Sequence, residues 1–194
     1  MTDNTDPIPD RTIMLVGLMG AGKSAIGRRL AARLGRGFID ADHEVEKAAG
    51  CPIEDIFALH GEQAFRDGER RVMARLLSEA PCVLAAGGGA FMDPETRLLS
   101  HEKTISVWLR ADLEVLLARV SRRDNRPLLK GSDKREVLEN LMAERDPIYA
   151  QADIVVQTGN GPHDAVVDKV IEELGRLQRE SSKEAERLAT GSPR

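Results

Sequence analysis

Residues 12–24 read Thr12-Ile13-Met14-Leu15-Val16-Gly17-Leu18-Met19-Gly20-Ala21-Gly22-Lys23-Ser24. The first five are apolar or β-branched, which is typical of a buried strand. The rest fit G-x-x-x-x-G-K-[ST], a loop whose glycines let backbone N–H groups converge on one anion. An amphipathic helical pattern follows at once. A glycine-rich turn can match such a pattern by chance, but strand, loop and helix in this order predict a nucleoside triphosphate site.

Two side chains of this loop have predicted chemical roles. Lys23 is placed to reach the outer phosphates, and the Ser24 hydroxyl is placed to ligate Mg²⁺ in the first helical turn. The positive end of the helix dipole adds to the attraction for phosphate. The residues predicted to hold the nucleotide here are Gly20, Ala21, Gly22, Lys23, Ser24 and Ala25.

Strand and helix patterns alternate along the rest of the chain. The strand patterns are at residues 12–16, 37–40, 82–86, 104–109 and 153–156, and the helical patterns at 23–34, 42–49, 53–59, 62–78, 93–99, 112–122, 134–151 and 164–179. This alternation predicts an α/β fold, with a parallel sheet between two layers of helices. Ligands are expected at the carboxyl ends of its strands.

Composition narrows the class of protein. The 194 residues are enough for one buried core, and a net charge of −4 with one Trp, one Tyr and four Phe argues against nucleic-acid binding. Cys51 and Cys82 lack the spacing of a metal site, and we expect a reducing cytoplasm. No stretch approaches the roughly 20 apolar residues of a membrane span. We expect a monomer, with a flexible tail at 1–10, one domain at 11–175 and a charged helical or disordered tail at 176–194.

Acidic and glycine-rich segments follow the second and third strand patterns. Asp40 and Asp42, two residues apart in a chain that we expect to be extended there, would project to one side of the sheet. One carboxylate would hold a metal through its water shell and the other would accept a hydrogen bond from a hydroxyl; alternatively, Asp42 caps a helix beginning at His43. Gly87 to Gly89 permit close approach of backbone to a ligand, or form a flexible turn.

Arginines on two helical patterns are candidate anion receptors. Arg66 lies beside Glu62 and Glu69 on one face, which either fixes its guanidinium for a carboxylate or forms an exposed ion-pair ladder. Arg145 falls on an apolar stripe and needs an internal acid or a bound anion. The four histidines show no ligand or nucleophile pattern, and we assign them no role.

Residues 121–133 contain Arg122, Arg123, Arg126 and Lys130 with little apolar material. This composition predicts a mobile lid that brings cations over phosphate, with a solvated charge run as the alternative.

Taken together, these motifs resemble those of the shikimate kinase family from about residue 11 to 170. The match rests on the phosphate loop, Asp40-Ala41-Asp42, Phe65-Arg66, the triple glycine, Arg126-Pro127-Leu128-Leu129 and Glu144-Arg145. The resemblance implies a P-loop NTPase of nucleoside-monophosphate-kinase-like type, with a five-stranded parallel sheet and a mobile lid. It implies transfer of the ATP γ-phosphoryl group to the 3-hydroxyl of shikimate in aromatic amino-acid biosynthesis.

The resemblance also implies roles for individual residues. Asp42 would bind the acceptor hydroxyl and receive its proton, while Asp40 would act in the outer shell of Mg²⁺ with Ser24 as the direct ligand. The implied groups that hold shikimate are Arg66, Gly88 and Arg145, and those near ATP are Lys23, Arg119 and Arg126. Residues 157–162 contain no arginine, although many relatives place one there against the adenine, so nucleotide affinity is expected to depend more on Arg119. The alternatives are a gluconate-kinase-like enzyme and a non-catalytic ATP-binding paralogue.

Overall fold

The structure is a computed structural model that describes residues 10–121 and 133–190, with side chains to residue 187. The predicted N-terminal tail, except Asp10, and nearly all of the predicted lid, including Arg126, lie outside the described residues. The strands are β1 Thr12–Val16, β2 Phe38–Asp40, β3 Val83–Ala85, β4 Thr104–Ala111 and β5 Ile154–Thr158. The helices are α1 Lys23–Leu34, α2 Ala41–Ala49, α3 Ile53–Leu76, α4 Pro94–Lys103, α5 Leu113–Val120, α6 Lys134–Tyr149 and α7 His163–Thr190.

The strands form one five-stranded sheet in the order β2-β3-β1-β4-β5, and every neighbouring pair is parallel. All residues of the central strand β1 are buried, as expected of a parallel strand covered on both faces. The predicted fold class is therefore confirmed. The chain leaves β1 toward β2 on one side and later reaches β4 on the other, so a crevice opens at the carboxyl end of β1.

Several element boundaries differ from the sequence-based predictions, and three of them bear on the site or on the end of the chain. The two predicted helices at 53–59 and 62–78 meet in α3, where the non-helical backbone of Gly61, with φ 79° and ψ 174°, separates them as predicted; the second ends at Leu76 rather than at residue 78. The last helix extends beyond residue 179 to Thr190, because no Gly or Pro lies between residues 176 and 190 and Arg176 pairs with both Glu173 and Glu180 along one face. Helix α2 begins at Ala41, one residue before the predicted start at Asp42.

The early start of α2 corrects two expectations about the aspartates. Asp42 lies in the first helical turn, so the assumption of an extended chain from Asp40 to Asp42 was wrong. The alternative role of Asp42 as a helix cap was also wrong, because Asp40 occupies the cap position and makes no side-chain capping bond. The helix nevertheless turns Asp42 toward the carboxyl edge of the sheet, where it shares a cavity with Asp40.

Helix α1 packs closely on the sheet because Gly27 has no side chain. A Cβ atom at this position would lie 2.6 Å from Cε2 of Phe38 and 3.1 Å from Cδ1 of Leu15. The contact fixes the start of α1, and with it the phosphate loop, against β1 and β2. Among the described residues, no helix combines the length and the apolar character needed to cross a membrane.

Candidate active site

A cavity of about 770 Å³ opens at the carboxyl edge of the sheet. It is lined by the predicted site residues Gly20, Gly22, Lys23, Ser24, Ala25, Asp40, Asp42, Arg66, Gly88, Arg119 and Arg145. Ala21 does not line the cavity; its carbonyl accepts hydrogen bonds from Arg119 at 3.2 Å and from Thr158 at 3.3 Å. One concave space therefore joins residues from distant parts of the sequence.

The phosphate loop has the backbone that its glycines predict. Gly17, Gly20 and Gly22 have φ values of 134°, 84° and 101°, a region that side chains disfavour. Gly22 caps α1, so the amino end of this helix faces the cavity. The Lys23 ammonium donates to the carbonyls of Gly17 at 2.8 Å and Leu18 at 3.2 Å. These contacts keep the positive charge of Lys23 at the loop, where it can bind the phosphates of a nucleotide.

Ser24 and Asp40 meet beside this loop. The Ser24 hydroxyl donates to Oδ2 of Asp40 at 2.7 Å. Both are hard oxygen donors, which Mg²⁺ prefers, and Mg²⁺ commonly takes only one or two protein ligands beside phosphate and water. Within the described ranges, no cluster of three or more His, Cys, Asp or Glu residues is arranged to hold a metal. The pair fits a nucleotide-bound Mg²⁺ better than an all-protein metal site.

Arg119 supports the loop from α5. Its guanidinium donates to the carbonyls of Gly20 at 3.0 Å, Ala21 at 3.2 Å and Gly159. Burial lowers the pKa of Arg119 below its ordinary value, although this group stays protonated in proteins. Arg119 thus links the phosphate loop to the segment after β5, and the same end of the cavity is lined by Asn160, Gly161 and His163.

Arg66 lies at the opposite end of the cavity between two acids. It contacts Glu62 at 3.0 Å and Glu69 at 2.8 Å, and the Glu69 side chain is only 5% exposed. Burial opposes the charge of Arg66, but the two acids outweigh it, so the pKa of Arg66 lies above its ordinary value. Burial raises the pKa of Glu69, and Arg66 partly offsets that effect. The arrangement is a fixed guanidinium rather than an exposed ladder.

Arg145 is 7% exposed and projects from α6 into the same end of the cavity. One of its terminal nitrogens donates to the Gly88 carbonyl at 3.1 Å. Its Nε atom is buried without a hydrogen-bond partner among the described residues, and the nearest acid, Glu144, is 3.8 Å away. A buried donor without a partner is costly, which favours a bound anion over an internal acid as its partner.

The triple glycine provides room for these groups. A Cβ atom on Gly87 would lie 2.7 Å from Oδ1 of Asp42 and would also collide with Glu69. A Cβ atom on Gly89 would collide with the guanidinium of Arg66. Gly87 and Gly89 therefore leave room for Glu69, Asp42 and Arg66 in their present positions, whereas a Cβ atom on Gly88 would come no nearer than 3.7 Å to a neighbouring atom.

Sequence reasoning missed two residues of the site, Tyr149 and His163. Tyr149 donates a hydrogen bond to the Gly88 carbonyl, and its position four residues after Arg145 was an available signal for a shared helix face. His163 lines the cavity although we assigned the histidines no role. Burial lowers the pKa of His163, as do the nearby Arg29 and Arg119. No pattern pointed to His163, because the fold brings it to Arg119.

Comparisons with known proteins match most of the chain, including the residues that line this cavity. The family model for shikimate kinase matches residues 19–175. A shikimate kinase of Caulobacter vibrioides is 57% identical over 174 residues, which cover 90% of this chain and 87% of the relative. One of Paramagnetospirillum magneticum is 59% identical over 164 residues, 84% of each chain. The solved shikimate kinase from Acinetobacter baumannii in complex with shikimate has a TM-score of 0.82 at 38% identity, covering 86% of this chain and 93% of that one.

Proposed function

The chain belongs to the shikimate kinase family, and we propose that it transfers the γ-phosphoryl group of ATP to the 3-hydroxyl of shikimate. The products are shikimate 3-phosphate and ADP, in a step of aromatic amino-acid biosynthesis. The observation that carries the proposal is one cavity with a phosphate loop at one end and two arginines beside an aspartate at the other. Shikimate is a carboxylate with hydroxyl groups, which is the chemistry that this second end suits.

Arg66 and Arg145 hold the substrate carboxylate in this proposal. Glu62 and Glu69 fix the direction of the Arg66 guanidinium, and the buried Nε of Arg145 gains its missing acceptor. The backbone of Gly88 completes the substrate site. These contacts orient the acceptor hydroxyl, and orientation supplies a large part of catalysis in phosphoryl transfer.

Asp42 is the proposed proton acceptor. The hydroxyl oxygen forms a bond to the γ-phosphorus, the bond from that phosphorus to the β–γ bridging oxygen breaks, and the hydroxyl proton passes to the Asp42 carboxylate. Lys23 stabilises the charge on the transferring group, and Arg126 joins it when residues 121–133 close over the phosphates and exclude water. Gly20 to Ala25 hold the phosphates, and Arg119 stays beside the adenine.

Ser24 and Asp40 would hold Mg²⁺, with Ser24 as the direct ligand and Asp40 in the outer shell. When bound there, Mg²⁺ would supply positive charge that offsets the negative charge of the phosphates. The chain's own contribution is the 2.7 Å contact that keeps the Ser24 hydroxyl beside the loop. Removal of Mg²⁺ by a chelator is expected to abolish turnover, and turnover at full rate without a divalent ion would contradict this part of the proposal.

Residues 11–175 form the proposed functional domain of a cytoplasmic monomer. Residues 179–187 of α7 are exposed, so they add little to the core. A chain that ends at residue 178 is expected to keep its activity and to elute as a monomer in size-exclusion chromatography. Loss of activity in the truncated chain would indicate a functional role for the C-terminal segment. Elution at the size of a dimer would contradict the proposed monomeric state.

The direct test is coupled ADP release with Mg-ATP and a panel of acceptors. Shikimate alone is expected to stimulate release strongly, while gluconate and nucleoside monophosphates leave the background unchanged. Stimulation by gluconate instead would keep the phosphate site and overturn the substrate. Binding of ATP with no turnover on any acceptor would favour a non-catalytic paralogue.

A further inference from the structure

Tyr149, the single tyrosine of the chain, is fully buried at the end of α6. Its ring centroid lies 6.5 Å from that of Phe91 and 5.9 Å from that of Trp108. Its hydroxyl donates to the carbonyl of Gly88. The geometry points to Tyr149 as a positioning residue, whose hydroxyl anchors the triple glycine so that the groups that hold the acceptor keep their mutual arrangement. This inference rests on the proposed function.

The Gly88 carbonyl receives two donors from one helix. Arg145 donates to it at 3.1 Å, and Tyr149 donates from one helical turn later. A carbonyl oxygen has two lone pairs, so the two bonds together satisfy it and fix the plane of the peptide that follows Gly88. A run of three glycines has unusually wide backbone freedom when it is not anchored. The anchor therefore acts on the part of the site that has the least stiffness of its own.

Each neighbouring glycine contacts a different acceptor-binding side chain. Gly87 lies against Asp42 and Glu69, and Gly89 lies against the guanidinium of Arg66, so close that a Cβ atom on either glycine would force these side chains to shift. Gly88 holds Arg145. A displacement of this segment by a few tenths of an ångström would therefore alter Asp42, Arg66 and Arg145 relative to one another. The three groups bind one small substrate, so their relative positions set its affinity.

A purely structural role for Tyr149 makes a different prediction. Ring packing against Phe91 and Trp108 needs no hydroxyl, and a phenylalanine would supply it. A buried hydroxyl needs an acceptor, and the Gly88 carbonyl is the acceptor that Tyr149 contacts. Burial raises the pKa of Tyr149 far above its ordinary value, although Arg145 lowers it in part. The hydroxyl thus remains a donor throughout the working range of pH.

The test is Tyr149→Phe, which removes one oxygen and keeps the ring. Thr104→Val is the matched control, because it removes a buried hydroxyl that donates to a backbone carbonyl at 2.9 Å at the opposite edge of the sheet. For Tyr149→Phe we expect the KM and the calorimetric Kd for shikimate to rise about fivefold to tenfold, as for one lost hydrogen bond. The KM for ATP should stay within about twofold, and the shift should be equal at pH 7 and pH 9.

Each outcome decides the inference. A selective rise in the shikimate constants in Tyr149→Phe, absent from Thr104→Val, supports it. Unchanged shikimate constants, equal losses for both substrates or a chain that no longer folds would overturn it, since the hydroxyl would then be structural only. If the unaltered protein neither binds nor phosphorylates shikimate, the proposed function itself is wrong. That result comes from the unaltered protein alone and is therefore distinct from a failure of the inference about Tyr149.

Discussion

At the scale of single residues, Asp42 has the most specific proposed role. Its carboxylate lies in the first turn of α2 against Gly87, next to the buried Glu69. Asp42→Asn keeps the shape of the side chain and removes the proposed proton acceptor, so kcat should fall by about 10²- to 10⁴-fold. The KM for ATP should change little. The measurement is coupled ADP release at saturating shikimate.

A suitable control for this change is Asp168→Asn. Asp168 is an exposed carboxylate on α7 that pairs with Arg33 at 3.0 Å and does not line the cavity. The kinetic constants of the Asp168→Asn variant should match those of the unaltered chain. If Asp42→Asn retained most of its kcat, Asp42 would have only a binding role.

Arg66 tests the carboxylate receptor. Arg66→Lys keeps the charge but loses the planar fork that two acids hold in place. The KM for shikimate should therefore rise about tenfold or more, with a smaller effect on kcat. Steady-state kinetics at varied shikimate measures this. Arg75→Lys, on the same helix but 49% exposed in its side chain, should leave both constants within about twofold. A shikimate KM unchanged in Arg66→Lys would contradict the assignment.

Residue types and spacing indicated most of the site, for identifiable reasons. The phosphate loop is local in sequence, and Glu62, Arg66 and Glu69 lie within two turns of one helix, so their contacts follow from helical periodicity. The contact between Arg145 and Gly88 joins residues 57 positions apart and depends on tertiary packing. The burial of Glu69 and the hydrogen bond from Tyr149 to the Gly88 carbonyl also depend on tertiary packing. The catalytic role of Arg126 and the roles of the other site residues stay predictions.

At the scale of elements, two helical glycines make opposite predictions. Gly27→Ala would bring a methyl group to 2.6 Å from the Phe38 ring, whereas Gly68→Ala on α3 meets nothing within 4 Å. Alanine favours a helix by about 1 kcal/mol over glycine, but overpacking typically costs about 1–3 kcal/mol. Urea unfolding should therefore show that Gly68→Ala stabilises the protein and that Gly27→Ala destabilises it. Stabilisation by both changes would contradict the close packing of α1 on β2.

The start of α4 gives a pH-dependent prediction. Asp93 accepts from the Thr96 amide at 2.8 Å and from Arg70 at 3.0 Å. Burial alone would raise the pKa of Asp93, but these two contacts lower it below its ordinary value of 3.8. A lowered folded-state pKa means that the unfolded state binds more protons, so this stabilisation is complete above about pH 4 and declines as the pH falls through the folded pKa.

Asp93→Ala should accordingly cost about 1 kcal/mol of unfolding free energy at pH 7. The difference from the unaltered chain should narrow below about pH 4. Asp93→Asn keeps a good cap and should cost only a few tenths of a kcal/mol. Urea unfolding of the three chains at pH 7, 5 and 3.5 measures this. A cost for Asp93→Ala that does not narrow at pH 3.5 would contradict the role of the charged carboxylate.

Element types were predictable where periodicity is strong, as in α1, whose bounds match the prediction. The boundary of α2 was not, because the sequence around Asp40 permits both an extended and a helical continuation. Only packing at the carboxyl end of β2 selects the helix. The break at Gly61 was predicted, since the predicted helices stopped on either side of residues 60 and 61.

At the scale of the whole molecule, the parallel sheet and a cavity at its carboxyl edge follow from one loop and its context. A phosphate loop after a buried strand, followed by alternating helices and strands, predicts a parallel sheet with ligands at one edge. The identity of the phosphoryl acceptor could not be predicted in this way, because the same fold can bind many different acceptors. The two arginines, the triple glycine and the family membership of the chain identify it.

The measurement that tests the central claim most directly is identification of the product. Purified protein, Mg-ATP and shikimate are incubated, and the product is analysed by mass spectrometry and by ³¹P–¹H correlation. We expect one phosphorylated shikimate whose phosphorus couples to the proton on carbon 3, formed in equal amount to ADP. A phosphorus coupled to another ring proton would contradict the orientation by Arg66, Arg145 and Asp42, and ADP without phosphorylated shikimate would contradict the proposed function itself.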